Sequence, residues 1–557
     1  MQKAILTLIG CLFAITLHAI PAKRERCTLT LTNGNTIEAT WMGDETTHFY
    51  LADDGRCLQC DSDGIAHFVE ADSIRNRWKA RALKRQKAFN KKNVMRRRET
   101  KDVTMSGSKR GLVILVQFPQ TPFHLTQSNF DHLLNEVGYF DDINIGSVHD
   151  YFYDNSYGQF NFLFDVVGPV TMDQPLSYYG KNNSYGDDSR PATMVREAIQ
   201  KVDDIVDFKH YDWNNDGEVE QVFIFHSGYD EAQSHQKSDI WSHAWTLSEA
   251  LEEGDGEGPV SVDGVIVDRY ATSAELRGSS GYQITGIGTA CHEFSHCFGI
   301  PDFYDVDGKN FGMNSWDIMD YGSYNGNGGA PAGFTSYERY FCGWLEPIEL
   351  IDPVEVYNMP PLTSEPVAYI LRNSGKEDEY FLFENRQKVD WDRSLGGHGL
   401  LVVHVDYDDS AWEMNTVNVN RSHQRMTIVP ADNILYSSTL AGDPWPGTTG
   451  QTMISDIITP KAQFYNLNAE GDLLMHHVIA QISETSDGLI NFIFDEEAMG
   501  IEKIGSSKGK MGNGEEIEKG ENVNCPIARC YDLSGRIVNK ATKKGVYIHE
   551  GKKIVMP

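Results

Sequence analysis

Gly111-Leu112-Val113-Ile114-Leu115-Val116-Gln117-Phe118 is a continuous apolar run bounded by Lys109-Arg110 and Pro119, and it reads as a buried strand. A second run of this kind covers Val219 to Phe225. Between them, Pro191 opens a segment whose Val195, Ala198, Ile199, Val202 and Val206 fall on one helical face at three-to-four spacing. Alternating strands and helix predict an α/β or α+β domain. Downstream, from Leu350 to Phe494, strand patterns dominate, as in Tyr380-Phe381-Leu382-Phe383-Glu384 and Gly399 to His404. Upstream, Cys27 to about Glu70 shows short alternating strands separated by turn signals such as Asn33-Gly34-Asn35.

A chain of 557 residues exceeds one compact core and suggests three or four units. Lys3 precedes an apolar run from Ala4 to about Leu17, and Ala19 and Ala22 then offer small-residue cleavage positions, the plan of a secretory leader. The run is too short to read as a membrane anchor, and no later segment is apolar enough to span a bilayer. Nine cysteines are too few to scaffold a chain of this size, and Cys57-x-x-Cys60 lacks the second pair of a zinc ribbon, which leaves a disulfide or two free thiols. The formal charge is −31, yet Arg75 to Arg110 holds 15 of the 49 Lys and Arg residues against only Glu99 and Asp102. So acidic a body excludes a nucleic-acid partner. The basic window suits an activating protease of trypsin-like preference, with a solvated linking helix as the alternative.

The chemistry concentrates in Gly286-Ile287-Gly288-Thr289-Ala290-Cys291-His292-Glu293-Phe294-Ser295-His296-Cys297-Phe298-Gly299-Ile300-Pro301-Asp302. On a helix, His292 and His296 share one face and can reach one zinc ion. Glu293 stands beside them as a general base. Gly299 permits a sharp left-handed exit from the helix, which brings Asp302 back as a candidate third ligand. The oxygen-rich Asp212, Asn214, Asp216, Glu218 and Glu220 alternate around Gly217 like the front half of a calcium loop, but Phe223 stands where the closing glutamate belongs. An Asx-rich turn is the alternative. Asp305 and Asp307 are a weaker candidate for a second ion.

The Gly299 and Asp302 offsets resemble the extended zinc motif of the metzincin clan, with Asp in place of the commoner third histidine. By that resemblance, Met319 in Ser315-Trp316-Asp317-Ile318-Met319-Asp320-Tyr321 is the floor of a methionine turn. Tyr321 is then a candidate oxyanion stabiliser, with ordinary packing as the alternative. More broadly, Gly111 to Trp344 resembles the immune inhibitor A family of secreted bacterial metallopeptidases, through GLVILVQF, Ser147 to Phe152, Asn155 to Phe160, the zinc motif and the 316–325 stretch. The resemblance implies protein or peptide substrates, catalytic zinc and structural calcium. It extends to a pro-segment carrying Gly43-Asp44-Glu45 and to a β-rich companion carrying Glu384-Asn385-Arg386. The tail, with Tyr531 to Arg536 and Gly545 to His549, is similar to type IX sorting domains.

These readings give an α+β, metzincin-like catalytic domain, a twisted mixed sheet with a backing helix and an active-site helix. A small β-rich pro-domain precedes it and β-rich domains follow. The expected layout is a signal peptide at 1–22, a pro-segment with basic linker at 23–105, and a catalytic domain at 106–349. A companion domain at 350–497 and a linker with a small C-terminal β unit at 498–557 complete it. The expected function is a secreted or cell-surface zinc endopeptidase made as a monomeric zymogen. A catalytically decayed, calcium-dependent adhesin is the alternative. Cys27, Cys57, Cys60 and several aspartates are the pro-segment groups available for latency.

Overall fold

The computed structural model describes residues 18–77 and 105–495, apart from positions 46, 62, 63, 75, 184, 185, 307, 309 and 457, together with four short strands between 530 and 556. The apolar run up to residue 17 that was expected as a leader, most of the basic window, Asp307 and the linker expected from residue 498 lie outside the described residues. The protein is a mixed α/β structure with several sheets and few helices. It divides into two compact units.

The first unit comprises the described residues up to Leu345 together with Val389–Leu395 and Tyr407–Thr427. It opens with the two-residue strand β1 (His18–Ala19), followed by β2 (Arg26–Leu31), β3 (Thr36–Gly43), β4 (His48–Ala52), β5 (Cys57–Cys60) and β6 (Ile65–Val69). Strands β2 to β6 close into a barrel, with β6 returning parallel to β2. Closure removes the free edges that a short five-stranded sheet would otherwise expose. Leu29, Ala39, Trp41, Tyr50, Ala52, Leu58 and Ala66 belong to the core cluster of this region.

The main sheet is built from β7 (Gly107–Gln117), β8 (Phe160–Thr171), β9 (Val222–Tyr229), β10 (His243–Thr246) and, after a hairpin of β11 (Val260–Val262) and β12 (Val265–Val267), β13 (Arg269–Leu276). Its order is β1-β10-β13-β9-β7-β8. The pairs β13–β9, β9–β7 and β7–β8 are parallel, whereas β10 runs antiparallel to β13. Helix Pro191–Val202 covers one face, where Met194, Val195, Ala198, Ile199 and Val202 join Leu112, Ile114, Val116, Val222 and Ile224 in one core. Phe294 of the helix Ile287–Ser295 meets Phe223 at 4.4 Å and Phe164 at 4.8 Å between ring centroids. Aromatic pairs of this kind contribute about 0.5–1.5 kcal/mol each beyond their area. Leu112 to Val116 are therefore all buried, which explains why β7 reads as an unbroken apolar run and not an alternating one.

Two boundaries differ from the sequence expectation. The helix ends at Val202, with Val206 packed beyond it on the same core. The strand expected from Val219 begins at Val222, because Val219 donates its N–H to Ile266 of the hairpin and Glu218 bridges the same residue.

The second unit comprises Glu346–Lys388, Gly396–Asp406 and the described residues from Ile428 onward. The stretches Val389–Leu395 and Tyr407–Thr427, which lie inside the sequence of the expected companion domain, pack with the first unit instead. In the second unit Lys376–Arg386 pairs antiparallel with Ala368–Asn373 and with Gly399–Asp406. Val354–Met359, Ile490–Asp495 and Val478–Glu484 form a three-stranded sheet, and Phe381, Phe383, Val402, Trp445, Ile479 and Phe492 share the core. The four described strands of the tail form a sheet of their own.

Candidate active site

Helix Ile287–Ser295 starts at Gly286 and is docked tightly along its first turn. A Cβ on Gly288 would stand 1.9 Å from the Ser323 carbonyl oxygen, so only glycine permits this approach. Asn144 Oδ1 accepts the otherwise orphaned Ile287 N–H at 3.0 Å. The helix ends in a 3-10 turn, His296–Phe298, and Gly299 leaves it at φ 88°, the left-handed region where a Cβ is penalised. The chain then returns to place Asp302 beneath the histidines.

The three side chains converge. His292 and Asp302 are fully buried and His296 is 7% exposed. Each histidine directs Nδ1 at a backbone carbonyl, His292 at Ile318 O (2.7 Å) and His296 at Ile300 O (2.8 Å). A carbonyl can only accept, so the proton belongs on Nδ1 and each Nε2 presents a lone pair. The two Nε2 atoms are 3.2 Å apart, and Asp302 Oδ1 lies 3.1 Å from His292 Nε2 and 3.5 Å from His296 Nε2. Three ligands held at ~2.0–2.1 Å around a tetrahedral zinc stand about 3.3 Å from one another. The donor set and its spacing therefore fit zinc.

A second layer fixes this triad. Asn415, buried and at φ 51°, accepts the Asp302 backbone N–H through Oδ1 at 2.8 Å and donates from Nδ2 to Asp302 Oδ2 at 2.6 Å. This two-point clamp leaves Oδ1 to face the histidines. Asn418 Nδ2 donates to Phe303 O at 2.7 Å and to Met426 O at 2.6 Å. Met319 is fully buried and its carbonyl accepts the Phe303 N–H at 2.8 Å, so the segment around it is tied to both sides of the zinc motif. Asp320 accepts backbone N–H groups from Tyr321, Met313 and Asn314, while burial pushes its carboxyl up to about 7.

Glu293 is fully buried. Burial, with the charges of Asp302 and Glu45 next, pushes its carboxyl well above the ordinary range. One oxygen, Oε1, accepts the Ile20 N–H at 3.3 Å, and the other has no protein partner. Tyr321 is half-buried, and the Arg24 guanidinium carbon sits 4.1 Å above its ring. Burial raises its phenol despite the guanidinium.

The calcium candidates lie in the loop ahead of β9 and are not part of the converging triad. Asp212, Asn214 and Asp216 accept the backbone N–H groups of residues 216 to 218 within their own loop, and Glu220 Oε2 accepts the Trp213 N–H at 2.7 Å. Burial pushes Glu220 up to about 7. Glu218 is the remaining candidate and bridges to Ile266. Among the described residues, one other triad of potential ligands exists, Glu470, Asp472 and His476, on the surface of the second unit. The cysteines expected as latency candidates belong to the barrel: Cys27 Sγ donates to Ala39 O, and Cys57 is buried beside Phe49 and Ile74.

Residues 117–344, which contain the triad, Glu293, Met319 and Tyr321, match the model of the immune inhibitor A peptidase M6 catalytic domain. This region is similar to an immune inhibitor A-type catalytic domain. The chain is similar to immune inhibitor A of Bacillus thuringiensis subsp. alesti, with 25% identity over 446 residues, covering 73% of this chain and 56% of that relative. It is also similar to the pre-pro-metalloprotease PrtV of Vibrio cholerae serotype O1, with 24% identity over 283 residues, covering 43% of this chain and 30% of that relative. The chain thus spans little more than half of the first relative and less than a third of the second. Within residues 117–344 the sequence reasoning reached the helix residues directly. It missed Asn415, which lies 113 residues from its partner and is marked by no local pattern. It also missed Ile20, which read as the end of a leader, and Arg24, which fell in the expected pro-segment. No described helix is long and apolar enough to cross a membrane.

Proposed function

We propose that this chain is a secreted zinc endopeptidase of protein substrates, made as a zymogen on a metzincin-like catalytic domain. One observation carries the reading: three lone-pair donors converge at 3.1–3.5 Å in a buried cleft that also holds Glu293. His292, His296 and Asp302 would hold the zinc. When bound, zinc supplies a Lewis acid that polarises a carbonyl and brings the pKa of water to ~7.

The chain's own residues do the rest. Glu293 takes the proton of the attacking water on a carboxylate oxygen and returns it to the departing amine, so the leaving group departs neutral. Its apolar surroundings favour the proton-carrying form between these steps. Tyr321 directs its hydroxyl at the oxygen on which negative charge develops. Asn415 keeps Asp302 from rotating away, and Met319 closes the floor. Secretion, the pro-segment at 23–105, structural calcium at 212–220 and a type IX-like tail belong to the same proposal, supported by the sequence patterns and the family.

Incubating the chain, cleaved in its basic window, with unstructured proteins tests the reading. Fragments with new amino termini, suppressed by a zinc chelator and restored by zinc, are expected. Intact substrates would contradict it.

A further inference from the structure

Two carboxyl groups, Asp317 and Glu338, are fully buried and meet between the Met319 turn and the helix Ser336–Phe341. Asp317 organises the turn. Its Oδ1 accepts the Met319 N–H at 2.7 Å, and its carbonyl accepts the N–H groups of Asp320 at 3.2 Å and Gly322 at 3.0 Å. A Cβ on Gly322 would stand 2.2 Å from that carbonyl oxygen, so this close return requires glycine. The next residue, Ile318, offers the carbonyl that fixes the His292 proton on Nδ1, and Met319 O holds the Phe303 N–H beside Asp302.

Glu338 serves the helix. Its Oε2 accepts both the N–H and the hydroxyl of Thr335 in a capping box. Among the described residues no N–H or O–H group reaches its Oε1. The Glu338 carboxyl hydrogen-bonds to the Asp317 carboxyl. Ionised carboxylates only accept, so a bond between two of them requires a proton on one. Burial, with the Asp317 charge next, pushes the Glu338 carboxyl well above its ordinary range. The neighbouring groups leave that proton in place. Arg339 sends Nε to Phe334 O at 2.8 Å and Nη2 to Asn155 Oδ1 at 2.9 Å. Tyr151, on the helix Val148–Asn155, donates its hydroxyl to Ala332 O at 2.6 Å. Burial pushes this phenol and the thiols of Cys291 and Cys342 upward, so all three stay neutral.

We propose that Asp317 and Glu338 hold one proton between them, and that this shared proton positions His292 for zinc by fastening the Ile318–Met319 segment to the helix Ser336–Phe341. The inference deepens the peptidase reading above and rests on it. Both are positioning residues: Asp317 acts through the Ile318 carbonyl, and Glu338 acts through Asp317. The helix is anchored in turn, because Tyr337 Oη accepts Trp412 Nε1 at 2.7 Å from the stretch that carries Asn415. A carboxyl whose folded value is raised contributes its full stability below the ~4.3 of an unfolded glutamate, and that contribution is lost as pH rises toward the folded value. Glu338→Gln replaces the shared proton with a permanent amide N–H and keeps an acceptor for Thr335.

The test uses three full chains, wild type, Glu338→Gln and Glu338→Ala, each freed of zinc at the outset. At neutral pH the infrared difference spectrum, wild type minus Glu338→Gln, should show a protonated-carboxyl stretch that shifts in D2O. Absence of that band overturns the shared proton. Between about pH 5 and 7 the unfolding constant of wild type should rise roughly tenfold per pH unit more steeply than that of Glu338→Gln, the slope of one proton. Parallel slopes overturn it as well. Zinc affinity, read by competition with a chromophoric chelator, tests the positioning. Glu338→Ala should bind zinc about 10–100-fold more weakly than wild type, and Glu338→Gln should recover most of that loss. Equal affinity in the Ala and Gln chains overturns the positioning role. Should Glu338→Ala fail to fold, Glu338→Met, of similar length and with no proton to share, takes its place. A wild-type chain that binds no zinc would overturn the peptidase reading and the positioning role with it. The infrared band and the pH slopes need neither zinc nor proteolysis, so they decide the shared proton in either case.

Discussion

His292 and His404 each meet a buried carboxylate at similar range, His292 Nε2 at 3.1 Å from Asp302 Oδ1 and His404 Nε2 at 3.0 Å from Glu379 Oε1. Their surroundings differ. Around Glu379, in the second unit, the partners are donors: His404, the backbone N–H groups of Tyr465 and Asn466, and the amides of Asn373 and Asn466. Burial alone would raise that carboxyl, but these hydrogen bonds outweigh it and bring it down to about 2. At Asp302, Asn415 Nδ2 donates to Oδ2, while Oδ1 faces two Nε2 atoms whose rings have their Nδ1 protons spent on carbonyls. The first site satisfies its charge internally, and the second turns two Nε2 atoms and a carboxylate oxygen toward one point. A buried histidine beside a carboxylate is therefore informative only once every proton has been placed.

Substitutions can break this contrast. Asn415→Ala should have the largest effect on the cleft, since it frees Asp302 to rotate and leaves its N–H unbonded. A loss of about 10–100-fold in zinc affinity is expected, as for other residues that orient a ligand. Competition with a chromophoric chelator would measure it, and unchanged affinity would remove Asn415 from the site. His404→Ala should leave zinc content at one per chain while lowering stability by ~1–3 kcal/mol, because Glu379 loses a donor in a buried place. Urea unfolding with zinc analysis on the same samples checks both halves. The smallest effect concerns pH. Glu379 has a folded value of about 2, below the ~4.3 of an unfolded glutamate. Its contribution is therefore complete above ~4.3 and is lost as pH falls toward 2. Glu379→Gln should flatten the acid limb of the stability profile in that window, and an unaltered limb would contradict the assignment.

How much of this was legible in the sequence depends on how local each feature is. The apolar run at 111–118 and the helix opened by Pro191 announce themselves because a single element's burial imposes its own periodicity. His292, Glu293, His296 and Asp302 lie within eleven residues, so spacing on one helix and its exit turn was enough to group them. Asn415 was invisible because its role arises only when a stretch following β-rich sequence packs with the first unit. The same interleaving hid the return of Val389–Leu395, where Trp391 Nε1 donates to Asp154 at 2.9 Å. Ile20 and Pro21 carried a competing signal, since small and apolar residues after a leader suggest a cleavage site. The calcium reading followed oxygen spacing alone, which an Asx-rich turn and an ion loop share until the backbone partners are known.

The most direct measurement pairs zinc content with proteolysis in Glu293→Gln, purified with its basic window cleaved. The side chain keeps its size and an acceptor oxygen but can no longer take a proton. One zinc per chain with proteolysis reduced by about a thousandfold, within the ~10²–10⁴ range for removing a general base, is the expected result. Undiminished proteolysis at full zinc occupancy would contradict it.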